Sequence, residues 1–168
     1  MPDFINKLNE GYFEKYCDVA YLLLNRPDKT NPAMKSIIRH VIREAINHSS
    51  DLPGYDNKKG ASIASLQAIK QIETGNIIGL VGEHVVPVSV VNERLINLQN
   101  PTKEVIAETI RSFNLRAIIT ESEDKTLKMA GLSKKMPVNW DTTNVMYRYE
   151  FVGIKTVPYR FDQRNIDI

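Results

Sequence analysis

The sequence predicts an α+β fold in which an N-terminal helical platform supports a small ββα motif that carries a helical insertion. Three observations predict it. Apolar residues in the first third recur at spacings of three and four, two short β-branched runs follow at 77–87 and 115–119, and a capping box directly after the second run opens a helix. With 168 residues, 42% of them hydrophobic and 25% charged, the chain has apolar material for one core, so a single domain over 1–168 is expected. Low-hydropathy disorder is excluded by the same composition, and a collagen-like or low-complexity chain by its eight glycines and eight prolines.

The platform covers 1–74. Phe4, Leu8, Tyr12, Tyr16, Val19, Leu22 and Leu23 place one apolar stripe on a first helix, which stops at Asn25-Arg26-Pro27-Asp28. A second helix opens with Asn31 as cap and Pro32 in the first turn, runs through Ile37, Ile38, Val41, Ile42, Ala45 and Ile46, and ends in the breaker cluster at 49–54. A third helical pattern spans about Ala61 to Ile72, with Ile63, Leu66 and Ile69 on one face. The ββα core follows at 75–135. Its first strand runs from Ile77 to Pro87, and helices are predicted at 88–99 and at 101–113, the latter with Asn100 as cap and Pro101 as first residue. A second strand covers Leu115 to Ile119, then Thr120 and Glu123 form the capping box of a helix that ends at Gly131. The tail, 136–168, carries Trp140, Tyr147, Tyr149, Phe151, Tyr159 and Phe161. It is expected to wrap the core, with one helix near 145–152.

A single cysteine, Cys17, can form neither an internal disulfide nor a four-cysteine zinc site, and its aromatic and apolar neighbours suit a buried thiol, so a reducing, cytoplasmic setting is expected. No apolar run approaches the roughly 20 residues of a bilayer span, and residues 1–10 lack a basic start followed by an apolar stretch, so neither membrane insertion nor export is expected. The net charge of +2 is mild, yet it is arranged in blocks: eight basic against four acidic residues over 26–70, two against five over 71–110, and nine against five over 111–160. Such blocks permit a polyanionic partner without requiring one.

The informative chemistry is Glu83-His84 at the end of an apolar strand and just before Val85-Val86-Pro87, where alternation sends a carboxylate and an imidazole to opposite faces at neighbouring positions. A histidine there can take a proton from water near neutral pH, and a glutamate can hold a hard divalent cation. Glu83-His84-Val85-Val86-Pro87, then the strand Ala117-Ile118-Ile119-Thr120, then Glu123-Asp124-Lys125 on a helix, resembles the HNH nuclease family, and in its Thr and Asp-Lys echoes the variant found in RNA-guided CRISPR nucleases. The resemblance implies a ββα-metal fold, His84 as general base, Glu83 as a metal ligand and Asp124 as the other ligand, with Glu123 left open for that second place. It further implies hydrolysis of phosphodiester bonds in DNA with Mg²⁺, or Mn²⁺ in its stead, and RNA is left open as substrate. Asn97, ahead of Asn92, is the implied orienter of the histidine. Some 40 residues separate His84 from Asp124, so the helices at 88–113 count as an insertion, and an Asn or His common at the second metal position of the family is missing.

Lys125 and Lys128 beside the motif are candidate phosphate contacts. Lys58 and Lys59 are further candidates, together with Arg39 and Arg43 and with Lys134 and Lys135. Two alternatives stand beside the endonuclease: a non-catalytic DNA-binding regulator built on the helices at 61–72 and 101–113, and a small interaction protein that uses the tail.

Overall fold

The computed structural model describes residues 2–49 and 60–159, with side chains from Glu10 onward. In chain order the elements are α1 (Pro2–Leu24), α2 (Pro32–His48), β1 (Ile63–Ser65), α3 (Leu66–Glu73), β2 (Leu80–His84), α4 (Val88–Asn97), α5 (Lys103–Phe113), β3 (Arg116–Thr120), α6 (Glu121–Met129), α7 (Tyr147–Phe151) and β4 (Thr156–Pro158). The fold is α+β. Where one domain over 1–168 is expected, the chain divides into two compact units, Met1–Gly54 with Val88–Asn114, and Tyr55–Pro87 with Leu115–Ile168.

The first unit is helical. Phe13, Cys17, Ala20 and Leu24 are buried on α1 at steps of four, three and four residues, and Ile38, Ile42, Ala45 and Ile46 form the matching stripe of α2. Against α1 and α2 pack α4 and α5, through Val91, Leu95 and Ile96 and through Ile106, Ile110 and Phe113. The expected insertion is therefore part of this helical unit and not an elaboration of the strand-containing core. Asn31 caps α2 as expected, its Oδ1 accepting from the Ala33 N–H at 2.9 Å ahead of Pro32. The cap of α5 is Thr102, whose hydroxyl accepts from the Val105 N–H at 3.3 Å. Asn100, expected in that place, is at φ 45°, a left-handed conformation that asparagine tolerates and that turns the chain before the helix begins.

Burial pushes the Cys17 thiol up to about 11. At pH 8 the native protein should therefore react with a thiol-disulfide reagent at least about tenfold more slowly than the guanidinium-unfolded chain. Equal rates would show that Cys17 is open.

The second unit is built on a mixed sheet of order β2-β3-β1-β4. β2 runs antiparallel to β3 in the register Leu80↔Thr120 to His84↔Arg116, β1 is parallel to β3, and β4 closes the other edge antiparallel to β1. One face gathers Val85, Ala117, Ile119, Leu127, Leu132 and Tyr149 beneath α6 and α7, and the other gathers Ala64, Ala68, Leu80 and Ile118 beneath α3. Two expectations are corrected here. The helical pattern from Ala61 starts as strand β1, because β3 and β4 supply backbone partners on both of its sides. Only at Leu66 does the helix begin, with the Ser65 hydroxyl accepting from the Ala68 N–H at 3.0 Å. The run from Ile77 to Pro87 pairs only over 80–84, since Gly79 at φ +78° turns the chain into the strand. The tail contributes α7 as expected, and in addition the edge strand β4.

Candidate active site

β2, β3 and α6 meet in the order that the sequence predicts, with no loop between the last two: Thr120 is both the final residue of β3 and the N-cap of α6. Its hydroxyl accepts from the Glu123 N–H at 3.3 Å while Glu123 Oε2 accepts from the Thr120 N–H at 2.9 Å and from the Thr120 hydroxyl at 3.0 Å. Ser65 Oγ donates to the same oxygen at 2.6 Å. Glu123 is buried, and the three bonds to its carboxylate fall on a single oxygen. Of the two acidic residues left open for the second ligand place, Glu123 is thus taken up by the cap. Asp124 stands one residue on, its side chain 17% exposed and its Oδ2 accepting from Lys128 Nζ at 2.5 Å.

Glu83 stands on the face of β2 that carries Val81 and Val85, and it meets α7 there. Arg148, fully buried, forms an ion pair with Glu83 Oε2 through Nη2, and the Tyr149 hydroxyl donates to the same oxygen at 3.2 Å. Burial pushes the Glu83 carboxyl above the usual glutamate range. The charge and hydrogen bond of Arg148 and the Tyr149 bond act against that rise, whereas the negative charge of Asp124 adds to it. α6 packs against β2, so Asp124 and Glu83 stand on neighbouring elements. The Tyr149 phenol is itself pushed well above its ordinary value, by burial first and by the charge of Glu83 second.

His84 follows on the opposite face of the strand, in register with Arg116 of β3. The Arg116 side chain is buried, which lowers the pKa of its guanidinium, and it fills the space left by Gly60, where a Cβ would come within 2.7 Å of Arg116 Nη1. Since β2 is the outermost strand of the sheet, Glu83 and His84 both stand at its rim.

No protein-family model, no curated protein and no solved structure matches the chain. Geometry alone sorts the remaining candidates. Lys125 is exposed beside Glu121 at 3.9 Å, and Lys134 and Lys135 are exposed just after α6. Arg39 of the first unit pairs with Glu93. Asn97 is exposed on the last residue of α4, also in the first unit, and Asn92 is buried on the same helix. Lys58 and Lys59 lie outside the described residues. Among the described residues no helix is long and apolar enough to cross a membrane. Arg148 is the site residue that the sequence does not single out, and Tyr149 stands out there only as one of the tail's aromatic residues; the one local signal is a cation set among Tyr147, Tyr149 and Phe151.

Among the described residues no group of three or more His, Cys, Asp or Glu side chains stands together as a metal cage. Both carboxylates expected to hold a cation carry partners in the fold, Glu83 those of Arg148 and Tyr149 and Asp124 that of Lys128. Two carboxylates suit a hard cation that keeps most of its water, as Mg²⁺ does, better than they suit a cation that needs a full protein cage.

Proposed function

We propose that the chain is a metal-dependent endonuclease that hydrolyses phosphodiester bonds in DNA. The observation that carries this is the ββα constellation itself: antiparallel β2 and β3 with Glu83 and His84 at the end of β2, and a capped α6 directly after β3. In this reading His84 takes a proton from the attacking water. Glu83 and Asp124 would hold Mg²⁺ or Mn²⁺, which when bound supplies positive charge against the scissile phosphate and the leaving oxygen. Lys128, already held by Asp124, and Lys125 one turn from it add point charges toward the phosphate backbone. Cys17 as a buried thiol agrees with a cytoplasmic setting.

The test is nicking of supercoiled plasmid with Mg²⁺, Mn²⁺ or EDTA. Cutting should require the metal, and Asp124→Ala should lower it about 100-fold, the scale on which a hard-cation site loses catalysis with one of two ligands. If folded protein cuts neither plasmid, single-stranded DNA nor RNA with any of these ions, the proposal fails. A second reading, a non-catalytic nucleic-acid-binding regulator, draws on the Arg148 guanidinium that already neutralises Glu83. It predicts salt-dependent binding with no metal requirement.

A further inference from the structure

Arg148 is a fully buried cation that holds both residues of the Glu83-His84 pair at once. Nη2 donates to the His84 carbonyl at 2.6 Å and to Glu83 Oε2, and Nη1 donates to the Leu132 carbonyl at 2.9 Å. Three pieces of chain are tied by one guanidinium: the end of β2, the segment after α6 and α7 itself. Tyr149, the next residue, adds its hydroxyl to Oε2, and the guanidinium lies 5.5 Å from the centre of the Tyr149 ring. Arg148 Nε, also buried, has no hydrogen-bond partner among the described residues. A desolvated donor costs free energy, so packing of the core alone does not account for a guanidinium in this place.

We propose that Arg148 is a positioning residue of the candidate cation site, its guanidinium fixing the Glu83 carboxylate against the backbone of His84 and of Leu132. This rests on the endonuclease reading of Glu83 and Asp124. It makes α7, in the tail that was expected to wrap the core, part of the site. Being buried, Arg148 does not touch substrate; it acts through the carboxylate it holds. The planar fork is what the role needs, because one ammonium on a flexible stem cannot reach the Leu132 carbonyl and the end of β2 together. Arg148→Lys is therefore not a neutral exchange here.

The test uses the full chain, stripped with EDTA, and titrates Mn²⁺ by calorimetry into wild type, Arg148→Lys and Arg148→Met. Circular dichroism melts confirm that each variant is folded at the temperature used. Arg148→Met should weaken Mn²⁺ binding about 10–100-fold, the usual consequence of losing a partner that orients a metal ligand, with Arg148→Lys falling between it and wild type. In nicking assays the half-saturating Mn²⁺ concentration should rise in the same order. A purely structural arginine would lower the melting temperature and leave Mn²⁺ affinity alone, and that result overturns the proposal. Should Arg148→Met not fold, Arg148→Lys decides by the same criterion. Wild type that binds no Mn²⁺ and cuts nothing removes the endonuclease reading and the positioning role with it. Wild type that binds and cuts, beside folded Arg148 variants of unchanged affinity, removes the positioning role alone.

Discussion

Replacing Glu123 by alanine is expected to destabilise the second unit by about 2–4 kcal/mol while leaving Mn²⁺ binding within about threefold of wild type. The first figure follows from what its Oε2 does. It accepts from the Thr120 N–H, the Thr120 hydroxyl and the Ser65 hydroxyl, all in a buried position. Alanine would remove the reciprocal half of the capping box, worth about 1 kcal/mol, and would strand a buried N–H and two buried hydroxyls at about 1–3 kcal/mol more. Ser65 is in turn the cap of α3, so the loss would reach the starts of two helices on opposite faces of the sheet. Urea unfolding followed by circular dichroism measures the first effect and calorimetry the second. Glu123→Gln, which keeps one acceptor oxygen, should recover part of the stability. A loss under about 1 kcal/mol would mean that the cap is replaceable, and a collapse of Mn²⁺ affinity in folded protein would make Glu123 a ligand after all.

The motif order was legible from the sequence because its signals are local. Thr120 and Glu123 are three residues apart, and the pattern predicts both the end of β3 and the start of α6 without knowledge of anything distant. The same holds for Asn31 and Pro32 at α2. What was not legible depends on partners far along the chain. Ile63 to Ser65 have an apolar spacing that suits a helix, yet they form a strand because β3, more than 50 residues later, and β4, more than 90 later, supply hydrogen bonds on both sides. Arg148 escaped for the same reason, since its bond to Glu83 spans 65 residues and a lone arginine among aromatic residues has no spacing to betray it.

The carboxylates show how far residue type falls short of assigning a role. Glu83, Glu123 and Asp124 are equivalent as letters. In the fold, one is half-buried against a guanidinium, one is buried and consumed by a helix cap, and one is half-buried on a lysine. Burial and pairing, which the sequence does not carry, separate them. The rise in the Glu83 pKa that comes from burial would be larger without Arg148, whose buried guanidinium acts against it.

His84→Ala should abolish metal-dependent nicking, lowering it about 10²–10⁴-fold, with little change in Mn²⁺ affinity or in the unfolding midpoint. The imidazole stands at the last residue of an edge strand and is only partly buried, so truncation leaves the β2–β3 ladder, which is made by backbone groups, in place. The proposed cation ligand Glu83 is on the other face of the strand, and the Arg148 bond to residue 84 is to its carbonyl, which alanine retains. A base is lost without loss of the cation or of the fold, and that combination distinguishes proton abstraction from a structural role. Imidazole added to the buffer should restore part of the activity to His84→Ala and none to Asp124→Ala, because a free base can replace a missing base but not a missing carboxylate ligand. Nicking by folded His84→Ala within about fivefold of wild type would place the base elsewhere, since general-base removal costs at least about 100-fold.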